Sequence, residues 1–276
     1  MKKTFTLSVL IVLMGLSLSN CSRVPLTGRS QLSLVPENEM VSLSLTQYQQ
    51  FLSENSVSAD ATNTAMVQRC GKKIAAAVEE YLRQHGLESR ISDFNWEFNL
   101  VESKEPNAWC MAGGKVVVYT GLLPIAQNEA GLAVVLSHEI AHAVARHGSE
   151  RMSQQLALQY GGVALSAVMA NQSGTTQSLV NQVYGIGGNL GVLAYSRTHE
   201  YEADKMGIIF MSMAGYDPSI AVNFWQRMSQ MAGASDTPEI LRTHPLDENR
   251  IAAIQQILPD ALEIYNRSQG KGRSSK

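Results

Sequence analysis

Apolar residues recur at three- and four-residue intervals through Val41, Leu45, Tyr48 and Leu52, and again through Val67, Ile74, Val78 and Tyr81. That spacing predicts two amphipathic helices joined by a connection rich in Ser, Asn and Asp, and His85 beside Gly86 reads as the closing turn of the second. The period falls to two at Trp96, Phe98 and Leu100, which alternate with Glu97 and Asn99, as in a half-buried strand. Ala108 to Met111 and Lys115 to Thr120 then flank Ala112-Gly113-Gly114, which predicts a hairpin and a small antiparallel sheet. Ala130, Ala133, Val134, Ile140, Ala141, Val144 and Ala145 are small or apolar nearly all round, so this helix is expected to be buried, with Gln127 or Asn128 as its cap. A glycine-rich helical pattern runs on to about Ala170, breaks at Asn171 to Thr175 and resumes to about Tyr195; neither part has the length of a membrane span, and a buried helical hairpin is expected. A last helix carries Ile251, Ile254 and Leu258. The whole reads as a predominantly helical α+β domain.

The buried helix carries three polar residues that a core would not choose. His138, Glu139 and His142 form an H-E-x-x-H arrangement. Residues four apart on a helix lie nearly above one another, so both imidazoles reach one ion while Glu139, about 100° round, overhangs the same spot. Two neutral His ligands, an open position for water and a carboxylate to take its proton are the parts of a zinc hydrolase. Burial strengthens the reading, since each buried polar group needs a partner and one Zn2+ per chain supplies it.

A third ligand has to come from elsewhere. The extension H-E-x-x-H-x-x-G-x-x-H fails, because Ala145 and Gly148 stand where its Gly and His belong. His147 is about 180° round the helix from His138 and is expected at the surface or the helix end. The stretch Ser196 to Gly207 offers Glu200 and, one turn on, Asp204 on the same face, with Glu202 pointing roughly the opposite way. Glu200 as ligand and Asp204 as outer acceptor for a ligating imidazole is a coherent pair.

At the N-terminus Lys2 and Lys3 precede an apolar run from Leu7 to Leu18, followed by Ser19-Asn20-Cys21. This resembles a bacterial lipoprotein signal peptide, cut before Cys21, which then carries the lipid; a single uncleaved anchor helix is the alternative. The expected divisions are residues 1–20 as signal peptide, 21–36 as an extended, mobile lipid-attached linker broken by Pro25, Gly28 and Pro36, 37–264 as the zinc metallopeptidase domain and 265–276 as a polar flexible tail. Loss of Lys2 and Lys3 takes the net charge from −2 to about −4, which argues against nucleic acid as a partner. With Cys21 lipidated, Cys70 and Cys110 remain as a pair, either bridged or as two buried thiols.

H-E-x-x-H followed by S-R-x-x-E-x-E-A-D-x-x-G resembles the gluzincin family of integral and tethered metallopeptidases of the CAAX prenyl protease and HtpX type, over roughly Asn107 to Arg250. The lipoprotein start points to its periplasmic branch. The resemblance implies Glu200 as third metal ligand. It implies that Asn107 and Ala108 open an edge strand that holds substrate backbone as an added strand, a plain structural edge being the alternative. It also implies that His244, in His244-Pro245, and Arg250 six positions on approach the metal cleft. Pro245 is expected to hold His244 extended on a loop, aimed but not packed. His244 and Arg250 then either donate to the oxyanion, or His244 takes the metal's open position and keeps the enzyme latent.

The expected function is a zinc endopeptidase tethered in the bacterial cell envelope and facing the periplasm. Ser22, which is not the Asp of the enteric retention rule, leans the lipid toward the outer membrane. Misfolded or stalled exported proteins are the substrates the family suggests, with envelope assembly machinery as a further partner. A chaperone-like or assembly factor with a latent or structural zinc site is the alternative.

Overall fold

The computed structural model describes residues 21–160, 195–231, 237–246 and 248–270. The signal-peptide expectation for residues 1–20 and the helical hairpin expected after residue 160 lie outside the described residues, as does the tail from 271. Among the described residues no helix is long and apolar enough to cross a membrane.

Two helices open the domain, α1 (Glu37–Glu54) and α2 (Ala61–Gln84). In α2 the predicted stripe of Val67, Ile74, Val78 and Tyr81 is buried, and Asp60 caps the helix by accepting from the Asn63 amide. In α1 the inward stripe is Met40, Ser44, Gln47, Tyr48 and Phe51, so only Tyr48 of the predicted set is fully buried and Leu45 faces out. The polar Ser44 and Gln47 hid that face from a hydrophobicity pattern. Strands β3 (Glu97–Val101), β4 (Ala108–Met111) and β5 (Lys115–Tyr119) follow a two-stranded N-terminal ribbon of β1 (Cys21–Arg23) and β2 (Ser30–Leu32). The hairpin forms as expected, with Gly113 and Gly114 at φ 83° and 77°, where a side chain would be strained. The three-stranded sheet is nevertheless mixed, ordered β3-β5-β4: β4 pairs antiparallel with β5, whereas β3 enters β5's other edge in parallel register, Phe98 beside Val116. A period of two gives a strand's faces and says nothing of its direction.

The central element is α3 (Glu129–Ala145), capped by Asn128, whose side chain accepts from the Gly131 amide. It packs on α2, on β4 and most extensively on α5 (Arg197–Met213). Leu132, Val135, Leu136 and Ile140 are essentially inaccessible, and each contributes about 1.5–3 kcal/mol relative to exposure. The α3–α5 crossing is backbone-close because of Gly207: a Cβ there would meet the His138 nitrogen at 3.0 Å and its Cα at 3.1 Å. The carboxylates of α5 therefore come within reach of the imidazoles of α3.

Two expectations about the chain's start and end change. Residues 22–36 do not form a free linker in this fold. Val24 and Val35 are buried in the core, and Gln31 donates to the Ala145 carbonyl at 2.9 Å. The last helix, α8 (Glu248–Ser268), carries regular structure four residues into the expected tail. Between α5 and α8 lie α6 (Ile220–Ser229) and the short α7 (Glu239–Thr243), while α4 (His147–Tyr160) follows α3 directly. Cys70 and Cys110 are both free and buried, the unbridged alternative.

Candidate metal centre

His138 and His142 on α3, Glu200 on α5 and His244 after α7 converge, all of them 3% exposed or less. The two Nε2 atoms of α3 are 3.1 Å apart. Glu200 lies 3.5 Å from His138 Nε2 through Oε2 and 3.4 Å from His142 Nε2 through Oε1. His244 Nδ1 stands 3.3 Å from His138 Nε2 and 3.0 Å from Glu200 Oε1. A small divalent ion bonded at about 2.0–2.2 Å sets the corners of a tetrahedron about 3.3–3.6 Å apart, close to these separations. Four buried ligand groups turned on one point, three imidazoles and a carboxylate, fit a metal ion.

The charges around the cluster are arranged for that ion. Burial by itself would raise Glu200, but His244, Arg250 and hydrogen bonds from His138 and His142 outweigh it and hold the carboxyl well below the usual carboxylate range. Burial pushes His142 well below its ordinary value, which leaves it neutral and able to ligate. His138 goes the other way: burial lowers it, yet Asp204 and Glu200 carry it up to about 9. Asp204 Oδ1 is 3.0 Å from His138 Nδ1, the far side of the ring. Asp204 is itself gripped by Arg250, whose Nε and Nη2 both donate at 2.8 Å. Arg250 Nη1 reaches Glu200 at 2.6 Å and the Pro245 carbonyl at 3.1 Å. With its nitrogens directed at these groups, Arg250 orients both the Glu200 carboxylate of the cluster and the Asp204 carboxylate behind His138. That departs from the oxyanion-donor role expected of it.

Glu139 hangs beside the cluster, 3% exposed, with Oε1 lacking a hydrogen-bond partner among the described residues and 3.5 Å from His244 Nε2. Burial lifts its pKa above the ordinary carboxylate value, against the pull of His244 and His138. The cleft here is walled by Asn107 to Cys110, Glu139, Tyr195, Thr243 and His244 and holds only about 10 Å3, roughly what one water needs. The outer edge of β4 belongs to this wall, but all four of its residues are buried. Asn107 is equally buried, its Oδ1 accepting from the Ala108 amide. A separate cavity of about 950 Å3, lined by Val24, Leu26, Leu87 and Ile264 among others, touches none of the cluster residues.

The structure brings together His138, Glu139, His142, Glu200, Asp204, His244 and Arg250. Glu202 points away from the cluster as expected, although it is buried. His147 lies at the helix end, one of the two places expected for it, but is fully buried there and not at the surface, its Nδ1 2.9 Å from His142 Nδ1. The cause is Arg146, whose left-handed φ of 59° ends α3 and starts α4 on a new axis, so helical facing from His138 no longer applies. His244 also differs from the expected unpacked loop, being buried among the other donors. Tyr195, its ring tilted over His142 at 4.0 Å and over His244 at 4.9 Å, was not singled out in the sequence, where nothing but its place before Ser196 set it apart.

A buried H-E-x-x-H helix, a glutamate brought to it from a second helix one turn before an aspartate, and an edge strand over the cleft define a gluzincin-type metallopeptidase domain. The profile of Peptidase family M48 matches residues 63–258, and the chain belongs to that metal-dependent family. It is 38% identical over 175 residues to the mitochondrial metalloendopeptidase OMA1 of Schizosaccharomyces pombe, covering 63% of this chain and 50% of that protein. It is 31% identical over 253 residues to the mitochondrial metalloendopeptidase OMA1 of Homo sapiens, covering 87% and 46%. With the beta-barrel assembly-enhancing protease of Escherichia coli (strain K12) it shares 32% over 163 residues, 57% of this chain and 33% of that one. The chain thus spans half or less of the length of these relatives.

Proposed function

We propose that this protein is a zinc-dependent endopeptidase of the bacterial cell envelope, tethered by a lipid on Cys21 and acting on misfolded or stalled exported proteins. The observation that carries the catalytic part is the convergence of His138, His142, Glu200 and His244 beside the buried Glu139, whose Oε1 has no hydrogen-bond partner among the described residues. The envelope part rests on the N-terminal sequence and is favoured by likeness to a bacterial protease named for β-barrel assembly.

His138, His142 and Glu200 would hold zinc, which when bound supplies a Lewis acid for the scissile carbonyl and a lowered pKa for a water. Glu139 takes the proton of the attacking water and returns it to the leaving amine, a task its raised pKa suits. The outer edge of β4, opened by Asn107 and Ala108, aligns the substrate backbone as an added strand. In the present arrangement neither event has room, because His244 stands among the ligand groups and the cleft holds about 10 Å3. The His244 segment is therefore a brake, and its outward movement both frees the fourth position and uncovers β4.

One observation favours a second reading. Four protein donors with no open position are the pattern of a structural zinc site, which would suit an assembly factor. Zinc content and cleavage of an unfolded protein, compared between wild type and Glu139→Gln, separate the two. Cleavage lost in the variant with zinc retained is the expected result; zinc without cleavage in the wild type would favour the assembly factor.

A further inference from the structure

The turn between β1 and β2 lies outside the M48 match, yet it is wired to a metal ligand. His142 turns its Nε2 to the cluster and its Nδ1 to His147 Nδ1 at 2.9 Å. His147 Nε2 is 3.1 Å from Glu202 Oε2, and the same carboxylate accepts from the Thr27 hydroxyl at 2.6 Å and from Arg29 Nε at 2.9 Å. The other two nitrogens of Arg29 clasp Glu150 at 2.9 and 2.7 Å, and His199, which donates to Glu150 at 2.9 Å, stacks on His147 at 4.5 Å.

The protons in this chain have one consistent order. A carboxylate only accepts, so His147 places its N–H on Nε2, toward Glu202, and presents a bare Nδ1 to His142. His142 then carries its own proton on Nδ1 and leaves Nε2 free, which is the tautomer a metal ligand requires. Glu202 must be held in place for this order to persist, and the groups that hold it from outside are Thr27 and Arg29.

We propose that Thr27 and Arg29 are positioning residues of the metal centre, acting through Glu202 and His147 to fix the tautomer and ring orientation of His142. The inference rests on the metal reading above. It makes the first residues after Cys21 part of the site, so that metal affinity depends on how the N-terminal ribbon is seated.

The test is the zinc dissociation constant of the full chain, by competition with a chelator, with the thermal midpoint of the metal-free protein read in parallel. Arg29→Ala should weaken zinc binding roughly tenfold, the lower end for outer partners of ligating histidines. Glu202→Gln should weaken it similarly, and the double variant no further than the weaker single one, because the two act in series. Arg29→Lys, which keeps charge toward Glu202, should recover part of the loss, and Thr27→Val, nearly isosteric, should show a smaller loss if Arg29→Ala does not fold. A residue that only staples the ribbon would lower the metal-free midpoint and leave zinc affinity alone. Zinc affinity within twofold of wild type in Arg29→Ala, or in Thr27→Val should that be the variant in hand, overturns the proposal while sparing the metal site. So do losses that multiply in the double variant. A wild type that binds no zinc overturns the metal reading, and this proposal with it.

Discussion

The two imidazoles of α3 face the same point and are backed in opposite ways. Behind His138 stands a carboxylate directly, Asp204, locked by an arginine that is 1% exposed and drawn from α8. Behind His142 stands another imidazole, then Glu202, then Arg29, whose side chain is 26% exposed and comes from the N-terminal ribbon. The first support is short and sealed within the family-matched core, whereas the second is long and ends near solvent. His244, the third imidazole, turns its Nδ1 to the cluster and its Nε2 to the Glu139 carboxylate at 3.5 Å, a longer contact than the 3.0 Å between His138 and Asp204.

The strongest way to break the comparison is to remove what both imidazoles share. His138→Ala, His142→Ala and Glu200→Ala should each abolish tight zinc binding, while Glu202→Ala should keep the ion bound, though more weakly. Metal content of the four variants measures it, and zinc retained tightly by Glu200→Ala would remove that residue from the ligand set. Next in size is the short support. Asp204→Ala should weaken zinc affinity by about 10–100-fold, because an outer carboxylate fixes the ligating ring without touching the ion. An affinity equal to wild type would mean that Arg250 and Glu200 alone position His138.

The third imidazole gives a smaller effect of opposite sign. If the His244 segment is closed about nine-tenths of the time, His244→Ala should cleave an unfolded protein on the order of tenfold faster, at unchanged zinc content. A rate about 100-fold slower would instead make His244 an oxyanion donor. The smallest effect on the metal is expected at the chain's start. Cys21→Ser should abolish lipid modification, seen by mass analysis of the mature N-terminus, and leave zinc affinity at the wild-type value, since Thr27 and Arg29 remain. A mature N-terminus at Met1 would replace the lipid anchor by an uncleaved helix.

Local periodicity alone was enough to group His138, Glu139 and His142, and to separate Glu200 and Asp204 from Glu202, because helical facing is a property of the backbone within one element. It likewise placed α2, while the Gly113-Gly114 turn gave the β4–β5 hairpin and the α3 cap was narrowed to Gln127 or Asn128, of which the structure uses Asn128. His244 and Arg250 were reached only through a family motif, and their place in the cluster needed α7 and α8 to fold back over α5. The sequence misled where the answer depended on a break or on a distant partner. A single left-handed residue, Arg146, turned His147 from an outward position into the backing of His142. Polar residues 22–36 read as a spacer because their partners, Glu150, Glu202 and the Ala145 carbonyl, lie more than 100 positions away. The parallel entry of β3 depends on where α2 delivers the chain, which no alternation records. Tertiary structure decided these points because a buried polar side chain is explained by what it meets, and its partners are chosen by the packing of whole elements.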